Sequence, residues 1–255
     1  MSEPYLEVHD VEKRFGGLAA LAELSFAASS GRITCLVGPN GAGKTTIFNV
    51  ITGFLRPDRG SIRFRGASLD GMTPQAIVAA GIARTFQNLR LFTDLTVCDN
   101  VMLGLPGQFG ERPAAAILRP FRTAREQTRR RGEAEALLER VGLARRAGER
   151  VRNLSYGEQK LLSIARVLAT GAEFLLLDEP ASGLAQDALE AMIALLFALK
   201  ENGKSLLVVE HKTRVVSRIA DHVLFLHQGR LIAEGEPKAI VADPKLAEIY
   251  FGGAI

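Results

Sequence analysis

Ile33-Thr34-Cys35-Leu36-Val37 runs directly into Gly38-Pro39-Asn40-Gly41-Ala42-Gly43-Lys44-Thr45, and a helix-like segment from Thr46 to Ile51 follows. The eight-residue stretch is a complete G-x-x-x-x-G-K-[ST] loop set between a strand and a helix, the context in which that pattern binds phosphate. Its glycines let successive backbone N–H groups turn inward around a β-phosphate, and the helix directs its positive end at the same charge. Lys44 is long enough to reach β/γ oxygens, Thr45 carries a hydroxyl suited to Mg²⁺, and Thr46 opens the helix. The stretch therefore predicts a nucleoside triphosphate site in an α/β protein.

Phe174-Leu175-Leu176-Leu177-Asp178-Glu179 is a short apolar run ending in two acids. It reads as a buried parallel strand that delivers carboxylates at its carboxyl end, where the clefts of open α/β sheets lie. In a phosphate-loop nucleotidase the first acid, Asp178, is expected to hold the Mg²⁺ shell. Glu179 is expected to polarise an attacking water.

Leu154-Ser155-Tyr156-Gly157-Glu158-Gln159 precedes apolar residues at helical spacing: Leu161, Leu162, Ile164, Ala165 and Leu168. Ser155 and Glu158 fit a capping box, so a helix starts here, and a helix start is a second place for an anion. This stretch resembles the LSGGQ-type signature of ATP-binding cassette (ABC) proteins. The resemblance extends over nearly the whole chain and implies the ABC ATPase fold: a RecA-like α/β core, an N-terminal antiparallel β region and an inserted helical lobe.

The resemblance also implies roles for further residues. Ser155 and Gly157 would act across a dimer on the partner's ATP. Phe15, in Val11-Glu12-Lys13-Arg14-Phe15-Gly16-Gly17, is similar to the aromatic that stacks on adenine. Gln87, in Arg84-Thr85-Phe86-Gln87-Asn88, matches the glutamine that touches Mg²⁺ or the attacking water and senses the transmembrane partner. His211, in Val208-Val209-Glu210-His211, matches the histidine that contacts the γ-phosphate. Glu179, His211 and Gln87 are thus the expected catalytic set, and Thr45, Gln87 and Asp178 the expected metal set.

Within the family the chain resembles the ATPase subunits of bacterial importers for branched-chain and other hydrophobic amino acids. The stretches that carry this are Gly81 to Phe92, Leu95-Thr96-Val97, Asn100-Val101-Met102, Ile232 to Pro237 and the ending Tyr250-Phe251-Gly252. Implied partners are integral membrane permease subunits, a second ATPase subunit and, indirectly, a periplasmic binding protein. Exposed Leu89, Leu91 and Phe92 are candidates for the permease contact. Two positions depart from the pattern. Ala185-Gln186 follows Ser182-Gly183-Leu184 where the family usually has Asp or Asn and then Pro, and Lys212 follows His211 where an acid is usual.

Composition agrees with a soluble catalytic subunit rather than a membrane protein, and the resemblance implies a peripheral place at the cytoplasmic face of the cell membrane. The chain has 255 residues, is 47% hydrophobic and carries a net charge of +4. That charge does not call for nucleic acid, and the length suffices for a sizeable core. No run approaches the roughly 18 apolar residues of a membrane span, and Met1-Ser2-Glu3-Pro4 does not open a secretory signal. Cys35 and Cys98 read as buried reduced thiols. Arg122, Arg125, Arg129, Arg130 and Arg131 form a basic cluster interspersed with Glu126 and Glu133, read as a solvated helix face.

Strands are expected near Leu6–Val8, Ser25–Ala28, Ile33–Val37, Ser61–Phe64, Phe174–Glu179 and Ser205–Val209, with a hairpin around Gln228-Gly229. One ABC ATPase domain is expected, with residues 1–86 and 169–235 as α/β core, 87–168 as helical lobe and 236–255 as tail. A loop is expected from Gly104 to Pro120, which includes Gly107, Gly110 and Pro113. Three functions fit the motifs. They are importer ATPase, ATPase of another transporter (lipid or lipopolysaccharide export, urea or amide uptake), and soluble ABC ATPase in DNA repair or chromosome structure. The short separation of Thr45 from Leu154 leaves no room for the long coiled coil of the last.

Overall fold

The computed structural model describes residues 4–107 and 120–251. Gly110, Pro113 and most of the loop expected between Gly104 and Pro120 lie outside the described residues, as does Gly252. The same holds for the side chain of Arg122.

Two long strands open the chain, β1 (Pro4–Phe15) and β2 (Leu18–Ser29), followed by β3 (Ile33–Val37), α1 (Lys44–Ile51), β4 (Arg59–Phe64) and β5 (Ala67–Ser68). Next come α2 (Pro74–Ala80), β6 (Ile82–Arg84), α3 (Val97–Met102), α4 (Pro120–Arg140) and α5 (Tyr156–Ala169). The remainder is β7 (Phe174–Asp178), α6 (Gln186–Glu201), β8 (Ser205–Val209), α7 (Thr213–Ile219), β9 (His222–His227), β10 (Arg230–Gly235), α8 (Pro237–Ala242) and α9 (Pro244–Phe251).

The strands form a four-stranded sheet of order β2-β1-β4-β5 and a six-stranded sheet of order β10-β9-β3-β8-β7-β6. The first is antiparallel throughout. In the second, β9, β3, β8, β7 and β6 are parallel, and β10 joins antiparallel to β9. The uninterrupted apolar runs explain the parallel part. All five residues of β3, of β7 and of β8 are buried, which a strand covered on both faces requires.

By packing, the chain divides into two compact units, residues 1–84, 173–183 and 196–255 in one and 85–172 with 184–195 in the other. The second unit thus takes in Leu184–Leu195, which the sequence assigns to the α/β core, and the tail belongs to the first. In the first unit one core joins both sheets and α1. It includes Leu6, Leu21 and Leu24 from the antiparallel sheet, Phe48 and Ile51 from α1, and Phe174, Leu207 and Leu226 from the parallel one. Tyr5, Phe64 and Phe174 stack edge-on within it, with Tyr5 and Phe64 centroids 4.9 Å apart.

In the second unit α3, α4 and α5 pack on one another. Two buried polar side chains fix their ends. Asn100 bridges the carbonyls of Phe92 and Thr96 and accepts from the Phe92 amide. Arg130 donates to the carbonyls of Met102, at the end of α3, and of Leu105, Pro106 and Gly107 just past it. Arg130 is therefore a buried brace rather than part of a solvated basic face. Residues 85–96 contain no helix, and Thr96 caps the first helix of this unit at Val97.

Candidate functional site

The phosphate loop connects the buried strand β3 to α1, and its glycines are demanded by contacts behind it. Gly38 has φ +147, and a Cβ there would lie 2.1 Å from the Leu226 carbonyl oxygen. Gly43, at φ +106, would put a Cβ 2.6 Å from the Ala20 carbonyl oxygen. Gly43 is also the N-cap of α1, and no side chain caps that helix. Asn40, Gly41 and Thr45 are exposed while Pro39, Gly43 and Thr46 are half-buried, and Ala42 points into the core.

Lys44 is 7% exposed and folds back over its own loop, with Nζ donating to the carbonyls of Gly38 at 2.7 Å and Pro39 at 2.8 Å. Burial lowers its pKa, and the nearby carboxylates of Glu179 and Asp178 oppose that shift. These two acids are therefore close enough to the lysine to act on its charge.

Asp178 ends β7 and is nearly buried. Burial raises its pKa, and the Arg84 guanidinium is the chief influence in the other direction. Arg84, at the end of β6, lies 3.4 Å from Asp178 Oδ2, with both side chains about one-twentieth exposed. The same guanidinium donates to Asn49 Oδ1 at 2.7 Å, so it ties the strand-end carboxylate to α1. The sequence motif around Gln87 contains Arg84, yet its spacing assigns this residue no task. No local signal marks it, since Arg84 closes a three-residue strand whose other members are Ile82 and Ala83.

Glu179 follows with φ +49, in the left-handed region that a side-chain-bearing residue rarely adopts. Its amide donates to the Val209 carbonyl at 2.9 Å, which extends the β7–β8 pairing by one residue. His211, just past β8, places Nε2 2.7 Å from Glu179 Oε1. The first unit thus brings together Lys44, Asp178, Glu179 and His211. Phe15 ends β1, is half exposed, and has the Lys13 ammonium 5.9 Å from its ring centroid.

The other expected residues lie in the second unit. Gln87 is exposed in the segment after β6, where Leu89 and Leu91 are half-buried and Phe92 is 53% exposed. Ser155 is the N-cap of α5, and the capping box is complete. Its hydroxyl accepts from the Glu158 amide at 3.3 Å, and Glu158 accepts from the Ser155 amide at 2.8 Å. Those two amides are thus satisfied within the expected capping box. Gly157 faces Ala188, where an added Cβ would approach to 3.1 Å.

Fold and loop together define a phosphate-loop nucleotide-binding protein with a six-stranded, mainly parallel sheet. A family model described as ABC transporter matches residues 21–182, and the chain belongs to that family. It is 37% identical over 255 residues, all of both chains, to the high-affinity branched-chain amino acid transport ATP-binding protein LivG of Salmonella typhimurium. The ADP conformation of an ATP-binding cassette of an ABC transporter superposes with a TM-score of 0.86 at 32% identity, covering 98% of this chain and all of the other. A dimeric post-hydrolysis cassette bound to ADP and Pi superposes with a TM-score of 0.75 at 25% identity, covering 91% and 98%. The fold is that of the ABC ATPases.

Proposed function

We propose that the chain is the ATP-hydrolysing subunit of a membrane importer for branched-chain amino acids. The observation that carries the chemistry is the pair Glu179 and His211, 2.7 Å apart at adjoining strand ends and near the loop lysine. The full-length likeness to a branched-chain amino acid transport protein supports the substrate.

Lys44 leaves its two loop carbonyls to hold β/γ oxygens, with the backbone amides at the uncapped start of α1 turned to the same charge. Phe15 offers a face for adenine. The hydroxyl of Thr45 and the carboxylate of Asp178 are hard oxygen donors of the kind that suits Mg²⁺. Among the described residues no cluster of three or more His, Cys, Asp or Glu forms a protein-only cage, which agrees with a metal held partly by phosphate. Bound there, Mg²⁺ would neutralise phosphate charge. Glu179 accepts the proton of the attacking water while that oxygen bonds to the γ-phosphorus and the bond to the ADP oxygen breaks. His211 donates toward the γ-phosphate. Ser155 and Gly157 serve the nucleotide of a second ATPase subunit.

Partners in this reading are permease subunits, that second ATPase and, through the permease, a periplasmic binding protein. The chain sits on the cytoplasmic face of the cell membrane. Among the described residues no helix is long and apolar enough to cross a membrane. Deleting the gene in the source organism should abolish ATP-dependent uptake of leucine, isoleucine and valine by intact cells. Parental uptake of all three, with loss of another solute's transport, would overturn the substrate and leave the ATPase reading standing.

A further inference from the structure

Glu210 is 1% exposed, the most deeply buried carboxylate among the described residues, and the sequence gives it no role. A carboxylate removed from water is costly unless its oxygens find donors. Here Oε1 accepts the Ala181 amide at 2.7 Å, and Oε2 accepts the His211 amide at 3.3 Å. The two donors belong to different loops. Ala181 lies two residues past Glu179 on the loop after β7, and His211 opens the loop after β8.

We infer that Glu210 is a positioning residue for hydrolysis, a single carboxylate that holds the loop of Glu179 and the loop of His211 in register. The inference rests on the proposed roles of those two residues. Glu179 keeps a left-handed backbone, a conformation that persists only where its surroundings over-determine it. Three bonds do so here: the Glu179 amide to Val209 O at 2.9 Å, the Ser182 amide to Glu179 O at 3.2 Å, and the Ala181 amide to Glu210. Only the last depends on a side chain, and that side chain also holds His211. Glutamine cannot substitute, since its amide presents one oxygen and one NH₂ where two acceptors are used.

The test compares wild type, Glu210→Gln, Glu210→Asp, Glu179→Gln, His211→Ala and the double variant Glu210→Gln/His211→Ala. Single-turnover ATP hydrolysis and the Kd of a fluorescent ATP analogue are measured for each. Glu210→Gln should lower the hydrolysis rate about 10- to 100-fold, the range for a small misplacement of reacting groups, with the Kd held within about twofold. Groups that act as a unit are not additive. In the His211→Ala background the same change should therefore cost less than about threefold, whereas general loosening of the fold would cost the same factor in both backgrounds. If the glutamine variant does not fold, Glu210→Asp, which keeps the charge but is one methylene short, should show a slower rate at unchanged Kd. A wild-type rate in Glu210→Asp or Glu210→Gln, or equal factors in both backgrounds, overturns the inference. Hydrolysis lost in Glu179→Gln but intact in Glu210→Gln sinks this inference alone. Full turnover by Glu179→Gln sinks the base assignment and this inference with it.

Discussion

The chain contains two helix starts that could receive phosphate, and they are built in opposite ways. The start of α1 is capped by Gly43 in the left-handed region, with no side chain on its amides. The start of α5 is closed by its own residues, Ser155 and Glu158 each taking the other's amide. A helix start without a side-chain cap leaves N–H groups in need of an acceptor, which in the proposed function the phosphates supply at α1. The start of α5 thus has two of its amides satisfied by its own side chains. The difference teaches that a helix start can be left to glycine backbone alone or be tied by its own side chains within one chain.

Three predictions strain this contrast, from the largest effect to the smallest. Glu179→Gln should bind nucleotide as wild type does while its phosphate release falls by about 100-fold or more, because glutamine cannot accept the proton of water. Unaltered phosphate release would remove Glu179 from the chemistry beside α1. Lys44→Ala should weaken nucleotide binding by isolated chain about 10- to 100-fold, the scale of one or two charge-assisted hydrogen bonds. Equilibrium titration with a fluorescent ATP analogue measures this, and an unchanged Kd would mean that the α1 site does not depend on its lysine. Ser155→Ala should cost about 1 kcal/mol of stability through the lost cap, seen as a lower thermal midpoint. It should leave nucleotide binding by isolated chain within twofold and reduce the ATP-dependent dimer of Glu179→Gln in light scattering. If Ser155→Ala weakened nucleotide binding as much as Lys44→Ala does, the two starts would be equivalent and the contrast would be gone.

A fourth prediction concerns the tie between α1 and the strand end. Arg84→Met removes the nearest buried guanidinium from Asp178 and should destabilise the fold by about 3 kcal/mol, as breaking a buried ion pair does. Chemical denaturation would read the change, and a loss under 1 kcal/mol would show that other groups carry the charge of Asp178.

How legible these parts are in sequence depends on how many neighbours in the chain specify them. The strands β3 and β8 run over the residues that their apolar runs mark, and β7 stops one short, at Asp178, because both faces of each are covered. In contrast β1 and β2 each extend to 12 residues, far beyond Leu6–Val8 and Ser25–Ala28. One face carries polar residues, and Asp10 and Glu23 interrupt the alternation with positive φ, so the period-two signal fades while pairing continues. The short β6 escapes notice, as it has only Ile82, Ala83 and Arg84 and gains its place from β7 alone. The capping box is legible because its two members are three residues apart. Arg84 and Glu210 are not, since their partners are brought near only by the parallel sheet and a charge beside an apolar run reads as surface.

One contact has a bearing on how the chain becomes itself. The turn between β9 and β10 reaches back to the start of the molecule. The Gly229 amide donates to the Ala42 carbonyl at 3.0 Å, and the Ala22 amide donates to the Gly229 carbonyl at 3.0 Å. The rear wall of the phosphate loop is thus supplied by residues far along the chain from it. Contacts so distant along the chain form late and slowly, because closing a long loop costs entropy before any contact repays it. A nascent chain that has just left β8 already displays every residue of the nucleotide motifs, yet it lacks the strand and turn that stiffen them. The phosphate loop therefore owes its stiffness to a turn made after it, and the chain must pass β9 before the loop has its rear wall.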